Sequence, residues 1–121
     1  MIAPAFVLLA AAPAVEPPAT DIVVIGQRLN AWKGNWRSRQ GKLECRTVRS
    51  TGDAAIDAIG CAALTTCIMP EVPRFQAIAD AKLPKATRNR QMTGLMQGLL
   101  PCVERERQAG MVALADKRGG A

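Results

Sequence analysis

Residues 42 to 67 read Lys42-Leu43-Glu44-Cys45-Arg46-Thr47-Val48-Arg49-Ser50-Thr51-Gly52-Asp53-Ala54-Ala55-Ile56-Asp57-Ala58-Ile59-Gly60-Cys61-Ala62-Ala63-Leu64-Thr65-Thr66-Cys67. In the first part Leu43, Cys45 and Thr47 alternate with Lys42, Glu44 and Arg46, so a strand here has one apolar and one charged face. The period then changes. Ser50, Thr51 and Asp53 can each accept a bond from the free N–H groups that open a helix, and Asp57 lies near the positive end of the helix dipole. At about 100° per residue from Ile56, the side chains of Ile59, Ala63 and Cys67 fall within about 60° of one line, and Cys61 sits about 140° round, at the edge of the stripe. A half-buried strand running into an amphipathic helix sets the class as α+β.

Upstream, Trp32 to Arg37 and Leu43 to Arg49 flank Ser38-Arg39-Gln40-Gly41-Lys42, a polar turn whose glycine can take a positive φ. The β-branched run Ile22-Val23-Val24-Ile25 before Gly26 reads as a further strand, so a small hairpin or sheet is expected over about 22–49. Three helices are expected to pack it, over about 53–68, 73–82 and 86–108. The first should stop at Pro70, which biases Met69 out of the α region. Pro73 opens the second, with Phe75, Ile78 and Ala79 on one side, and Pro84 closes it. The third carries Met92, Leu95, Met96, Leu99 and Val103 at helical spacing, with Pro101 either kinking it or starting a new helix. Met111 to Ala115 reads equally as a strand or as more helix.

The 121 residues suit one small domain, with 16 Lys+Arg against 10 Asp+Glu and a net charge of +6. The absence of His excludes Ser-His-Asp and Cys-His sites and any imidazole metal ligand. Residues 1–14 carry no charged side chain and close on Ala12-Pro13-Ala14, the pattern of a secretory signal peptide cut after Ala14. That stretch is shorter than the roughly 20 apolar residues a bilayer span needs, and no span is expected in the mature chain. Glu16-Pro17-Pro18 marks residues 15–20 as a flexible linker, 21–116 as the folded domain and 117–121 as a frayed tail.

Four Cys in a short exported chain read as two disulfides, with three possible pairings. The rival reading, a zinc site, fits poorly: the gaps of 15, 5 and 34 residues contain no C-x2-C knuckle. Cys61 and Cys67 lie about 9 Å apart along one helix, too far for a disulfide, which leaves two pairings open.

The segment from Cys45 to about Leu64, with its strand followed by Ser50-Thr51-Gly52, three further residues and Ile56-Asp57 opening a helix, resembles the start of TonB C-terminal-like domains of bacterial envelope proteins. In some members a strand Cys and a helix Cys lie at the separation of Cys45 and Cys61, so the resemblance implies that pair and leaves Cys67 with Cys102. Inward-facing Cys67 can meet Cys102 where the last helix crosses the first. Asp21 to Arg28 is similar to the N-terminal run of many TonB-dependent receptors. Beyond the first helix the family carries an aromatic-Arg-Phe-x-Pro run where this chain has Cys67-Ile68-Met69-Pro70-Glu71-Val72-Pro73-Arg74-Phe75. The resemblance therefore implies a strand–helix unit, an envelope address and partner binding by strand addition, without implying an energy transducer.

Arg28, Lys33, Arg37, Arg39, Lys42, Arg46 and Arg49 oppose only Glu44 in the hairpin region, and Lys82, Lys85, Arg88 and Arg90 form a second run without an acid. Such a face is either solvated or contacts an anionic surface or an envelope partner protein. Trp32 and Trp36 share one side in either period and read as core packing or as an exposed aromatic platform beside the arginines. With only Trp32, Trp36 and Phe75 for stacking and no recognised module, nucleic acid is not the expected partner. Asp53 and Asp57 are accounted for by capping, and no nucleophile, base and orienting group stand together. No metal and no cofactor are expected. The expected function is a non-enzymatic periplasmic binding or structural module. The alternative is a secreted basic antagonist, an antibacterial effector or enzyme inhibitor, which recovery from the medium alone would favour.

Overall fold

The structure, a computed structural model, describes residues 18–119. The expected signal peptide over 1–14 and residues 15–17 of the expected linker lie outside them. The elements run α1 (Ile22–Ala31), β1 (Lys33–Arg39), β2 (Lys42–Arg49), α2 (Ala54–Ile68), α3 (Val72–Asp80) and α4 (Lys85–Lys117). The two strands pair antiparallel from Trp36 opposite Cys45 to Arg39 opposite Lys42, and a bulge between Lys33 and Gly34 offsets the far end. Gln40 and Gly41 form the two-residue turn, both with positive φ (52° and 74°), as a turn matching the strand twist requires.

The run from Ile22 corrects the strand expected there. Asp21 caps a helix, its side chain accepting from the Val23 N–H at 2.7 Å. Ile22, Ile25 and Leu29 then fall on one face at helical spacing, and Ile25 and Leu29 are buried with Ile56, Ile59 and Ala115. Val23 and Val24 are left exposed. The β-branched residues disfavour the helix only weakly, and burial of this stripe outweighs that preference. The sheet is consequently a hairpin over 33–49, and Trp32 is the extended cap between α1 and β1.

Pro70 acts differently from the expectation. Met69 keeps α-region torsions (φ −51°, ψ −46°), and a 3-10 turn over Met69–Glu71 joins α2 to α3. Pro101 lies inside α4, which runs unbroken for 33 residues and takes in Met111 to Ala115. From Ala54 to Asp80 the chain holds a window of mean hydropathy 1.4, long and apolar enough by composition alone to cross a membrane. Here it is divided by the 3-10 turn, held by a disulfide at Cys61 and another at Cys67, and buries Ile56, Ile59, Ala63, Cys67 and Ile68 against protein, as a core helix does.

Three clusters form the core along the α2–α4 contact. The first joins α1 to α2 and the end of α4; the second, of Ala63, Cys67 and Val103, is small; the third gathers Ile68, Val72 and Phe75 with Trp36, Leu43, Met92, Leu95, Met96 and Leu99. The apolar stripe expected on the last helix is thus the one that packs inward, with Val103 buried and Met92, Leu95, Met96 and Leu99 half-buried. The disulfides join Cys45 to Cys61 and Cys67 to Cys102, with Cα separations of 5.6 and 5.9 Å. They staple hairpin to α2 and α2 to α4, and they leave no thiolate set for the rival zinc site. Two disulfides in a chain of this size indicate an oxidising extracytoplasmic environment.

Arg118 lies in the expected tail over 117–121, of which 120–121 are outside the described residues, and it reaches back to Ala19 of the expected linker over 15–20. Its guanidinium donates to both carboxylate oxygens of Asp53, at 2.8 and 2.9 Å, and to the carbonyl of Ala19, itself buried, at 2.8 Å. Asp53 also caps α2 by accepting from the Ala55 N–H. The hydrogen bonds and charge of Arg118, helped by the N–H groups of Ile56 and Ala55, hold its carboxyl below the ordinary 3.8 despite burial. A lowered carboxylate value contributes stability above the unfolded value and loses it as pH falls through the folded one. Asp53→Asn should therefore cost on the order of 1–2 kcal/mol at neutral pH, a cost that disappears as the pH falls below about 4. Urea unfolding of parent and variant across pH checks this; a constant gap down to acid would show that the carboxylate charge is not the cause.

Candidate functional site

The hairpin sorts the charged residues by strand alternation. Inward lie Gly34, Trp36, Ser38, Leu43, Cys45 and Thr47, all half-buried toward α2 and α3; outward lie Lys33, Asn35, Arg37, Arg39, Lys42, Glu44 and Arg46, all exposed. Arg49 is exposed at the end of β2 beside the bulge. The structure thus brings Lys33, Arg37, Arg39, Arg46 and Arg49 onto one ribbon with Lys42. The only carboxylate among them, Glu44, accepts from Arg37 Nε across the strands at 2.9 Å. That pair is exposed and weak, so the ribbon remains strongly positive. Arg28 does not join it, being half-buried on α1.

The loop from Ser50 to Asp53 fixes the ribbon relative to α2. Asp57 accepts from the Ser50 hydroxyl, the Thr51 hydroxyl and the Thr51 N–H, and Gly52 turns the chain at φ 82°. Burial alone would raise the Asp57 carboxyl, but these donors outweigh it and the net shift is downward. Asp53 and Asp57, expected from the sequence as capping groups, also serve as the clamp for Arg118 and the lock of this loop.

The tryptophans form no platform beside the arginines: Trp36 occupies the opposite face of β1, and Trp32, the cap before that strand, packs inward. Trp32 lies against the bare Cα of Gly34 and of Gly60, and its Nε1–H donates to the Thr47 hydroxyl at 2.9 Å. Trp36 meets Phe75 edge-on, with ring centroids 4.8 Å apart. Each indole belongs to a different cluster, so the spacing that puts both on one side does not put them together.

One edge of Trp36 stays open in a cleft of about 540 Å3 between the hairpin, α3 and α4. Its wall is Trp36, Phe75, Met92, Met96 and Leu100, and the polar side chains along it, Ser38, Gln76, Thr93 and Gln97, are uncharged. Leu100 is half exposed. The volume falls in the range of small-ligand pockets, and the flexible thioethers of Met92 and Met96 can repack around a guest. The helical spacing read from the sequence put Met92 and Met96 on the apolar stripe of the last helix and passed over Leu100. The available signal was the second apolar strip of α4, Met92, Met96 and Leu100 at successive turns, flanked by neutral Thr93 and Gln97.

A second groove, of about 580 Å3, lies on the other flank of α3, with Gly94 and Gly98 open to it. No neighbour lies within 4 Å of where a Cβ would stand at either glycine, so this spacing serves no close approach within the chain. Among the described residues no group of three or more His, Cys, Asp or Glu side chains is placed to hold a metal ion. The chain matches no family model, no curated protein and no solved structure.

Proposed function

We propose that this chain is a non-enzymatic binding module of the bacterial envelope, periplasmic or secreted, that docks its basic hairpin face on an anionic surface. One observation carries the reading: Lys33, Arg37, Arg39, Lys42, Arg46 and Arg49 share an exposed two-stranded ribbon with Glu44 as its only acid. A solvated strand face needs charge, but it does not need one sign of charge, and a concentrated positive field attracts anionic head groups or acidic polymer. The two disulfides and the likeness of residues 45–64 to TonB C-terminal-like domains support the compartment. A non-catalytic role is supported by the shifted titrating groups: Asp53, Asp57 and Arg118 are all engaged in structural contacts.

The test is binding to phosphatidylglycerol vesicles against phosphatidylcholine vesicles. Arg37→Gln, Arg39→Gln and Arg46→Gln together should weaken binding to the anionic vesicles by roughly 100-fold, at about 1 kcal/mol per cation near the surface. The parent's affinity should fall steeply between low and physiological salt, and the variant's should fall less. Equal binding by parent and variant would return these residues to a solvating role.

A further inference from the structure

We infer that the basic ribbon binds a linear polyol-phosphate chain, laid lengthwise along the hairpin with its phosphodiesters over successive cross-strand rows. The inference rests on the proposed anionic contact and deepens it by naming the ligand class.

Outward cross-strand pairs follow one another along the ribbon: Lys33 opposite Arg49 beside the bulge, Asn35 opposite Arg46, Arg37 opposite Glu44, and Arg39 opposite Lys42 at the turn. Both end rows set like charges face to face, an arrangement that by itself destabilises a hairpin. No acid of the chain relieves it: among the described residues none of Lys33, Arg39, Lys42, Arg46 and Arg49 is ion-paired with a carboxylate. Asp53 and Asp57, which follow β2, are bonded instead to Arg118 and to Ser50 and Thr51. An anion seated over either end row removes repulsion as well as adding attraction. The guanidinium forks of Arg39, Arg46 and Arg49 match the oxygens of a phosphate.

Spacing and shape select a chain over a bilayer. Rows repeat every two residues, about 7 Å, so Lys33 to Arg39 spans roughly 20 Å. Two residues comprise six backbone bonds, and a three-carbon polyol phosphate also has six bonds from one phosphorus to the next, so its charges recur at about the same interval when extended. A two-stranded ribbon is strongly twisted, and its rows do not lie in one plane. A flexible chain follows them, whereas a flat surface meets only some at once. The hairpin exposes one large apolar side chain, Val48 at the bulge, too little to anchor in a bilayer. Nor does its outer face offer a ring on which a nucleobase could stack, since Trp36 packs on Phe75 and Trp32 on Gly34 and Gly60.

The experiment titrates the oxidised full chain with a base-free oligomer of 1,3-propanediol phosphate carrying four phosphodiesters. Its 1,6-hexanediol counterpart carries the same charge at a wider spacing. The three-carbon oligomer should bind about tenfold more tightly than the six-carbon one. Glu44→Gln frees Arg37 and turns the neutral row positive, and it should tighten binding about fivefold; Arg39→Gln with Lys42→Gln should weaken it about 25-fold. The gain in Glu44→Gln is a result that misfolding could not produce.

Equal affinity for the two spacings, or no gain in Glu44→Gln, would overturn the inference. So would tighter binding of an oligothymidylate with the same number of phosphates, which would make nucleic acid the ligand. The two readings fail separately. Charge-dependent binding to phosphatidylglycerol vesicles with equal affinity for the two oligomers would sink the polyol-phosphate chain alone. Spacing-selective binding of the oligomer without any binding to the vesicles would sink docking on a surface alone.

Discussion

Replacing Cys67 and Cys102 together by Ala should lower the free energy of unfolding by roughly 4 kcal/mol, a large part of the 5–15 kcal/mol typical of a whole domain. The bond closes a 35-residue separation, and the loop entropy it removes from the unfolded chain grows with that length. It also lies where the core is thinnest: only Ala63, Cys67 and Val103 are buried between α2 and α4 at that level, with Leu64 and Cys102 half-buried beside them. Loss of the buried Cys67 sulfur adds a packing defect to the entropic effect. The Cys45–Cys61 bond spans 16 residues and should contribute about 3 kcal/mol by the same account. Urea unfolding of each double variant, with the parent under oxidising and reducing conditions as reference, measures both. A Cys67/Cys102 variant within about 1 kcal/mol of the parent would mean that helix packing alone holds α2 to α4.

Gly60→Ala should destabilise the protein by about 2–3 kcal/mol, although the same change in a helix normally stabilises it by up to about 1 kcal/mol. A Cβ at Gly60 would stand 2.6 Å from the Trp32 ring. The indole has little freedom to withdraw, since its other ring edge lies against Gly34 and its Nε1–H is tied to Thr47. Gly94→Ala and Gly98→Ala are the controls within the same chain: neither Cβ meets anything within 4 Å, and each should raise stability by about 0.5–1 kcal/mol. Thermal or urea unfolding of the three variants gives the signs directly. A stabilised Gly60→Ala would show that Trp32 can move, and that α1, the hairpin and α2 are not tied through this ring.

The hairpin, α2 and the inward-packed stripe of α4 were legible in the sequence because each is encoded over a short span: a two-residue period around a turn, a capped helix start, and apolar residues at i, i+3 and i+4. The exclusion of Cys61–Cys67 follows from helix geometry as well, whereas the choice between the two remaining pairings came from the likeness to an envelope family. Ile22 to Ile25 shows where local reading fails. Four β-branched residues satisfy strand and helix patterns alike, and only the burial of Ile25 and Leu29 against Ile56, Ile59 and Ala115, far along the chain, selects the helix. Pro101 is likewise absorbed into α4, whose packing on α2 and whose disulfide hold the helix on both sides of it. The clamp of Asp53 by Arg118 joins residues 65 apart, and the cleft takes Trp36, Phe75 and Met96 from three elements. Which faces are basic and which apolar can be read from the chain alone, since those depend on periodicity within an element. Which faces meet, and which remain open beside Trp36, emerges only in the folded molecule, because contacts between distant residues form when whole elements bury one another and leave no periodic trace in either segment.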